Sequence, residues 1–273
     1  MHDGCKIMGV LNVTPDSFSD GGLYLDPHQA LAHARALVDD GADVIDVGSA
    51  SSHPDASTVP PELERERLEP VLRAIVGLGV AVSVDSFRPE TQRYALAAGA
   101  TWLNDIHAFA DPAFHAELAQ SDATLVLMHA AKRDRPVPAG RVLDHVEAFF
   151  SERMSTLTRA GVGEERLVLD PGMGLFLSPD PNVSLEVLHR LPELKCRLGR
   201  PLLIGVSRKS FLGHLCGRAV GARGAATLAA ELFAVVTGGV DVVRTHDVAA
   251  LRDGLRVWSA IECDVATRGG AKS

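Results

Sequence analysis

The sequence contains eight short apolar runs, rich in β-branched residues, separated by longer segments with helical periodicity. The runs are CKIMGVL (5–11), ADVIDVG (42–48), VAVSVDS (80–86), TWLNDI (101–106), ATLVLMH (123–129), RLVLDPG (166–172), PLLIGVS (201–207) and VDVVRTH (240–246). Each is almost continuously apolar, as is typical of a parallel strand that is covered on both faces. This alternation of strands and helices restricts the chain to the α/β class.

The segments between the runs carry apolar residues at helical spacing. In residues 28–41 and 148–161 the apolar positions are Ala30, Leu31, Ala34, Leu37 and Val38, and Phe150, Met154 and Leu157. Several predicted helices end in a glycine, which suits a left-handed C-terminus: Gly41, Gly99, Gly161 and Gly239. Eight strands, each followed by a helical segment within 273 residues, predict a (β/α)8 TIM barrel.

The alternative fold is a doubly wound open sheet. Such a sheet usually has fewer strands and a first turn with the GxGxxG pattern, which this sequence lacks. No linker rich in proline or serine divides the chain, so we predict a single domain over residues 1–273, with its core at about 6–263.

Charge and composition exclude several classes of partner. The chain has 35 acidic and 27 basic residues, a formal net charge of −8, whereas nucleic acids and anionic membranes attract positive surfaces. The start, MHDGC, does not resemble a signal peptide, and charged residues and glycines interrupt the most apolar stretch, 226–243. Four scattered cysteines without a CxxC pair indicate free thiols. We therefore expect a cytoplasmic protein that binds neither nucleic acid nor membrane.

Polar side chains lie at the ends of all eight runs. They are Asn12, Asp46, Asp85, Asn104 with Asp105, His129, Asp170, Ser207 with Arg208 and Lys209, and Arg244 with His246. In a (β/α)8 barrel the carboxyl ends of the strands meet at one rim, where the loops form the active site. One such residue is usually a helix cap, but eight of eight indicate a polar ligand. Asp46 is the weakest candidate, and Asp105 is expected to face the opposite layer from Asn104.

Four of these side chains suit a flat heterocycle. Asp85 and Asp170 accept hydrogen bonds, Asn104 both donates and accepts, and Lys209 donates. Because a carboxylate can accept two adjacent N–H bonds from an amino-pyrimidinone edge, a pterin fits this set.

A second group suits an anion: Asn12, His53, Arg244 and His246. Arg244 and His246 lie two apart on one predicted strand, so their side chains should point to the same side. Together with Mg²⁺ on Asn12, they would neutralise a diphosphate. No set of histidines with a carboxylate is convincing as a catalytic zinc site.

The segment SRKSFLG (207–213) predicts the start of a helix with Ser207 as its N-cap. The N–H groups at such a terminus can bind a carboxylate or a phosphate. The alternative is an ordinary cap, with Arg208 and Lys209 in solvent.

Taken in order, the motifs GVLNVTPDSFSDGG, IDVG, VDS, LNDI, LMH, LDPGMG, GVSRKSFLG and VRTHDV resemble those of dihydropteroate synthase, from about residue 6 to about residue 258. The resemblance implies a (β/α)8 transferase of folate biosynthesis. This enzyme joins 7,8-dihydropterin-6-ylmethyl diphosphate to p-aminobenzoate and releases diphosphate, with Mg²⁺ as cofactor. It also implies a homodimer, and part of the apolar segment 224–239 is expected to face a second subunit.

The resemblance further implies roles for the residues at matching positions. Pterin binding falls on Asp85, Asn104, Met128, Asp170, Gly205 and Lys209, of which Asp85, Asp170 and Lys209 are the implied catalytic residues. Diphosphate binding falls on Asn12, Ser52, His53, Arg244 and His246, with Asn12 also at the metal. Binding of p-aminobenzoate falls on Phe18, Ser52, Pro54, Leu175, Phe176, Ser207 and Arg208.

The sequence departs from the common pattern of that family in two loops. The second loop usually contains GGESTRPG but here is GSASSHPD (48–55), so that His53 replaces an arginine. After LDPGMG, Leu175 stands where a phenylalanine is common, and Phe176 follows it. These features, with DSFRPETQRYAL, look similar to the sulfonamide-insensitive branch of the family. Phe176 is expected to admit p-aminobenzoate but to clash with the bulkier sulfonamides, unless it simply fills a gap in the loop.

Two other functions are compatible with parts of this pattern. A methyltetrahydrofolate–corrinoid methyltransferase would share the aspartate and asparagine pocket but would need neither NVTPDSFSDGG nor SRKS. A non-catalytic pterin-binding paralogue is favoured only by the altered second loop.

Overall fold

The predicted (β/α)8 barrel is confirmed by a computed structural model. The structure describes residues 4–14, 26–50, 59–131 and 134–269, with residues 263–269 described by their backbone only. All neighbouring strands are parallel, in the order β6-β5-β4-β3-β2-β1-β8-β7. The strands are β1 (Lys6–Asn12), β2 (Val44–Gly48), β3 (Ala81–Asp85), β4 (Trp102–Asp105), β5 (Thr124–Met128), β6 (Leu167–Asp170), β7 (Leu203–Ile204) and β8 (Val242–Thr245).

A single bridge between Leu169 and Leu202 brings β6 beside β7 and nearly closes the sheet. The backbone N–H of Leu169 donates to the carbonyl of Pro201 at 2.9 Å. The sequence predicted a strand over 201–207, but β7 contains only two residues. It is short because the chain turns between Val206 and Lys209, and the Lys209 N–H donates to the Val206 carbonyl.

Helices surround the strands. The α-helices are α1 (Pro27–Asp39), α2 (Pro61–Leu68), α3 (Leu72–Val76), α4 (Pro89–Ala98), α5 (His115–Gln120), α6 (Val142–Arg159), α7 (Pro181–His189), α8 (Leu191–Leu198), α9 (Ser210–Cys216), α10 (Gly224–Val236) and α11 (Val248–Gly269). No helix within the described ranges is long and apolar enough to cross a lipid bilayer.

The helix at 28–41 is confirmed, and its start is fixed by a cap. The Asp26 carboxylate accepts a hydrogen bond from the His28 N–H at 2.9 Å, and Pro27 occupies the first turn. The predicted helix at 148–161 is the second half of the longer α6. At the end of α10 the left-handed residue is Gly238 rather than Gly239, since Gly239 packs against Leu191 and has no space for a side chain.

Apolar residues form two separate layers. The larger one lies between the sheet and the helices and includes Ile45, Leu103, Leu125, Leu169 and Val243. The smaller one fills the barrel interior: Met8, Val44, Trp102, Val126, Val168, Leu203 and Val242. Because alternate residues of a strand face opposite sides, this inner layer identifies which strand residues point into the barrel.

The carboxyl group of Glu231, on α10, is buried. Glu231 of α10 is only 1% exposed and is hydrogen-bonded to Thr245, and burial raises its pKa from 4.5 to about 8. The unfolded chain therefore releases this proton above about pH 4.5, whereas the folded protein keeps it up to about pH 8. Wild-type stability at this site must fall as the pH rises between those values.

Replacing Glu231 with glutamine is expected to remove this pH-dependent loss of stability. The free energy of unfolding of Glu231→Gln should match that of the wild type near pH 5 and exceed it by on the order of 3 kcal/mol at pH 9. Urea unfolding at pH 5, 7 and 9 measures the difference, with the exposed Glu66→Gln as the matched control. A gap that did not change with pH would show that Glu231 is ionised in the folded protein.

Candidate active site

The predicted ligand-binding residues at the strand ends, with Asp46, continue the inward face of the strands. Each lies two positions after an inner-layer residue: Val44 and Asp46, Trp102 and Asn104, Val126 and Met128, Val168 and Asp170, Leu203 and Gly205, and Val242 and Arg244. The same two-residue period places these side chains directly above the apolar layer, at the carboxyl end of the barrel. On β2, β4, β6 and β8 the side chains that point into the barrel thus change from apolar to polar over two residues.

Asp46 is at the centre of this polar layer. Its Oδ2 lies 3.3 Å from Arg244 Nη1 and accepts a hydrogen bond from Asn104 Nδ2 at 3.1 Å. Arg244 Nη1 also lies 3.7 Å from Asp85 Oδ2. Asp46 and Asn104 are 2% and 1% exposed, so these interactions are shielded from water and strengthened.

Two buried acceptors in this layer have no hydrogen-bond partner within the described part of the chain. They are Asp46 Oδ1 and Asn104 Oδ1. Buried polar atoms in proteins are almost always paired, so these two acceptors are expected to take hydrogen bonds from a bound ligand or from ordered water.

Lys209 lies between acidic groups and an aromatic ring. Burial and then the positive charge of Arg244 lower its pKa to about 8, against the opposite influence of Asp170 and Asp85. Its Nζ lies 4.3 Å from the centre of the Phe176 ring, a cation–π contact. Phe176 is itself only 7% exposed, whereas its neighbour Leu175 is 41% exposed.

Asp170 is the second carboxylate of the predicted pterin set. Burial raises its pKa, and the charge of Arg244 and the N–H of Gly172, which donates to Oδ1 at 2.8 Å, act in the opposite direction. Met128 is buried and lies in register with Asp170 on the neighbouring strand. Met128 therefore provides an apolar surface beside this carboxylate.

Ser207 is not the N-cap that the sequence predicted. The N-cap of α9 is Lys209 and the helix begins at Ser210, because Arg208 has a left-handed backbone with φ of 59°. The Ser207 hydroxyl instead makes a 2.9 Å hydrogen bond with His246 Nδ1 and accepts the His246 N–H at 3.3 Å. Burial and the charges of Arg208 and Arg244 lower the pKa of His246 to about 3, so its imidazole is neutral.

Glycines make room for two of the predicted ligand residues. A Cβ on Gly48 would lie 3.0 Å from Asn12 Oδ1, and one on Gly205 would lie 3.4 Å from Arg244 Nε. The amide of Asn12 and the guanidinium of Arg244 therefore lie directly against neighbouring backbone, which leaves their other sides for a ligand.

Two strand-end residues lie outside this polar layer. Asp105 accepts hydrogen bonds from Gln92 of α4 and from the His107 N–H, at 2.9 and 2.6 Å, which confirms that it faces away from Asn104. His129 packs edge-on against Phe149 of α6, and its Nδ1 lies 3.2 Å from the Pro171 carbonyl oxygen.

The remaining predicted residues are accounted for as follows. Arg208 lies close enough to His246 for its positive charge to lower the pKa of the imidazole. Phe18, Ser52, His53 and Pro54 lie outside the described residues. Asp46, rated weakest from the sequence, has partners on β4 and β8. The feature of the sequence that best indicates its place in the site is its position two residues after Val44.

Comparison with known proteins identifies the group to which this barrel belongs. The family model described as "Pterin binding enzyme" matches residues 8–246. The chain belongs to this family. A curated member, dihydropteroate synthase type-2 of Escherichia coli, is 52% identical over 266 residues, which cover 96% of this chain and 98% of that protein. The resemblance noted from the sequence motifs is thereby confirmed.

Solved structures of the family superpose over nearly the whole chain. Dihydropteroate synthase of Xanthomonas albilineans with 4-aminobenzoic acid is 39% identical, has a TM-score of 0.87, and covers 96% of this chain and 94% of its own. The Yersinia pestis dihydropteroate synthase, solved in a complex with a sulfonamide drug, is 30% identical with a TM-score of 0.89, and the match covers 96% of both chains.

Proposed function

We propose that this chain is a dihydropteroate synthase. It condenses 7,8-dihydropterin-6-ylmethyl diphosphate with p-aminobenzoate to give 7,8-dihydropteroate and diphosphate. The observation that carries the proposal is the buried polar layer of Asp46, Asn104, Asp170 and Arg244 at the carboxyl end of the barrel, in a chain 52% identical to a dihydropteroate synthase.

The polar layer accounts for recognition of the pterin. Asp85 and Asp170 accept N–H bonds from the amino-pyrimidinone edge, the unpaired Asn104 Oδ1 takes another, and Lys209 donates to a ring acceptor. Met128 covers a face of the flat ring. In this water-poor environment each hydrogen bond is stronger than it would be at the surface.

The reaction is a substitution at the pterin methylene. The C–O bond to the diphosphate breaks, the leaving group keeps the electron pair, and positive charge develops on the pterin. Asp85 and Asp170 stabilise that charge, and Arg244 and His246 bind the departing anion. The amine nitrogen of p-aminobenzoate then forms the new C–N bond and loses its proton. A neutral aromatic amine is a competent nucleophile, so no strong general base is needed.

The donor set at β1 fits Mg²⁺, the cofactor implied by the family. Mg²⁺ commonly takes one or two protein oxygens and completes its shell with water and substrate phosphates. Asn12 would supply such an oxygen, and its amide keeps its position because Gly48 has no side chain to displace it. When bound, the ion would neutralise charge on the diphosphate.

The p-aminobenzoate site is assigned to the region around Ser207, Arg208 and Phe176. Arg208 provides a positive charge for the carboxylate, and Ser207 provides a hydroxyl held by His246. We expect Phe18 and Pro54 to cover the ring and Leu175 to contact it. We expect Ser52 to lie beside both p-aminobenzoate and the diphosphate, and His53 to contact the diphosphate. Closure of the glycine-rich first loop would exclude water, which would otherwise capture the pterin cation.

A titration separates this function from the two alternatives. Calorimetry with the pterin alcohol and with its diphosphate should show tighter, Mg²⁺-dependent binding of the diphosphate. Equal affinity for both would favour a methyltransferase-like or purely pterin-binding barrel.

We further propose that sulfonamides inhibit this enzyme weakly, with Phe176 as the residue responsible. Its ring lies against Lys209, inside the site, and a bulky group in that position can exclude a substituent that p-aminobenzoate lacks.

Replacing Phe176 with alanine, or deleting it, is expected to increase inhibition by sulfamethoxazole at least about tenfold, while KM for p-aminobenzoate changes less. Inhibition curves of the wild type and the variants measure this, with the exposed Leu215→Ala on α9 as control. Potent inhibition of the wild type would contradict the proposal.

A homodimer in the cytoplasm completes the proposed picture. Phe233 on α10 is 44% exposed, as expected if part of this helix faces a second subunit. Sedimentation or light scattering of the purified protein measures the oligomeric state.

A further inference from the structure

The segment that carries the substrate-binding residues Ser207 and Lys209 has a strained backbone. Arg208, between them, has a φ of 59°, in the left-handed region that side chains other than glycine, asparagine and aspartate rarely adopt. Such a conformation persists only where surrounding contacts hold it, and strain of this kind is concentrated at functional sites. The question is therefore which groups hold residue 208.

Two side chains at the start of α10, those of its N-cap residue Arg223 and of Thr227 in its first turn, hold it from outside the site. Thr227 Oγ1 accepts the Arg208 N–H at 3.0 Å. Arg223 Nη1 donates to the Arg208 carbonyl at 2.8 Å and to the Lys209 carbonyl at 3.3 Å. Because Arg223 and Thr227 are four residues apart, they lie on the same face of the helix. Both polar groups of the Arg208 backbone are thus bonded to one helix.

Arg223 is itself held in place. Its Nε donates to the Arg218 carbonyl at 3.0 Å. Its guanidinium lies against Gly213 of α9, where any side chain would overlap it. The planar guanidinium therefore donates to three carbonyls, those of Arg208 and Lys209 before α9 and that of Arg218 after it. Lysine cannot reproduce this geometry.

The positions of two reactive side chains depend on this segment. Ser207 Oγ is hydrogen-bonded to His246, and Lys209 Nζ lies over the Phe176 ring. Asp170 and Asp85 lie near enough to Lys209 to raise its pKa. A change in the backbone dihedrals of Arg208 would change the orientation of Ser207 and Lys209 relative to each other, because they flank it in the chain.

We propose that Arg223 and Thr227 are positioning residues of the active site, which fix the left-handed Arg208 and thereby orient Ser207 and Lys209 toward the two substrates. This inference rests on the proposed synthase function for its kinetic consequences. Neither side chain needs to touch a substrate. A displacement of about 1 Å at a reacting group can lower the rate by up to about 100-fold.

The test compares Arg223→Ala with a matched variant at the opposite end of the barrel. Arg166 is also half-buried and also donates to backbone carbonyls, those of Ala123 and Leu118, just before β6. Both substitutions should lower the thermal midpoint to a similar extent. Arg223→Ala is expected to lower kcat/KM and pterin affinity about 10- to 100-fold, and Arg166→Ala is expected to leave both unchanged.

Three further measurements distinguish positioning from general loss of structure. Arg223→Lys should recover only part of the activity, and millimolar guanidinium ion should partly restore Arg223→Ala but not affect Arg166→Ala. Thr227→Val should show a smaller defect in the same direction. Since both residues hold one peptide, the double variant should lose less than the product of the two single effects.

Equal kinetic effects of Arg223→Ala and Arg166→Ala would overturn the proposal. The outcome does not depend on turnover alone, because pterin affinity is measured by calorimetry in the same variants. If the wild type bound pterin but formed no dihydropteroate, the synthase proposal would fail. A selective loss of pterin affinity in Arg223→Ala would still support the positioning role.

Discussion

Replacing Lys209 with alanine is expected to lower turnover at least ~100-fold, as is replacing Asp85 with asparagine. Lys209 is the cation beside Asp170 and Asp85, and its pKa of about 8 keeps it charged at neutral pH. Its loss would remove a donor to the pterin and leave Asp170 with less electrostatic support. Asp85→Asn keeps the shape of the side chain but removes the charge that we propose stabilises the developing pterin cation.

Steady-state kinetics with both substrates measures this effect, and Lys195→Ala provides the matched control. Lys195 forms a 2.8 Å ion pair with Asp241, which lies just before β8 at the amino end of the barrel. We expect that variant to retain normal turnover. Near-wild-type rates in both Lys209→Ala and Asp85→Asn would mean that the pterin does not bind in this layer.

The second large effect is expected at Asp46. Asp46→Ala would leave the Arg244 guanidinium, whose side chain is 12% exposed, without its nearest buried carboxylate, and it would also remove the acceptor of Asn104. Breaking one partner of a buried ion pair costs about 3–5 kcal/mol. We expect a loss of stability on the order of 3 kcal/mol and a fall in turnover of at least about tenfold, because both partners would lose their fixed positions.

Asp43, which immediately precedes the same strand, supplies the matched control. Its carboxylate lies 2.9 Å from Arg252 and accepts the Ile7 N–H at 2.8 Å, but it precedes β2 at the other end of the barrel and is 42% exposed. Asp43→Ala should reduce stability less and leave turnover unchanged. Chemical unfolding measures the stability of the two variants, and steady-state kinetics measures their turnover. Equal behaviour would show that Asp46 serves only to stabilise the barrel.

The sequence predicted the barrel and most of the polar rim because both depend on local periodicity. Runs of buried strand residues are recognisable one at a time, and the two-residue period separates Asn104, which faces the interior, from Asp105, which faces α4. The opposite facing of Asn104 and Asp105 was therefore predicted correctly without any knowledge of their partners.

The sequence predicted less well where a residue depends on distant parts of the chain. Asp46 gains its importance from Arg244, 198 positions later, and nothing near Asp46 indicates that pairing. Ser207 has the composition of an N-cap, but the left-handed Arg208 delays the helix to Ser210, and α10 holds that conformation. Arg223 and Thr227 carry no motif of their own, so only the folded chain reveals their contacts.

The most direct test of the central claim is product formation by the purified protein. Dihydropterin diphosphate, p-aminobenzoate and Mg²⁺ are mixed with the enzyme, and dihydropteroate and diphosphate are followed together. We predict that the two products are released in equal amounts and that their formation requires Mg²⁺. Binding of the pterin without formation of dihydropteroate would contradict the account, and would direct attention to the loop that contains His53.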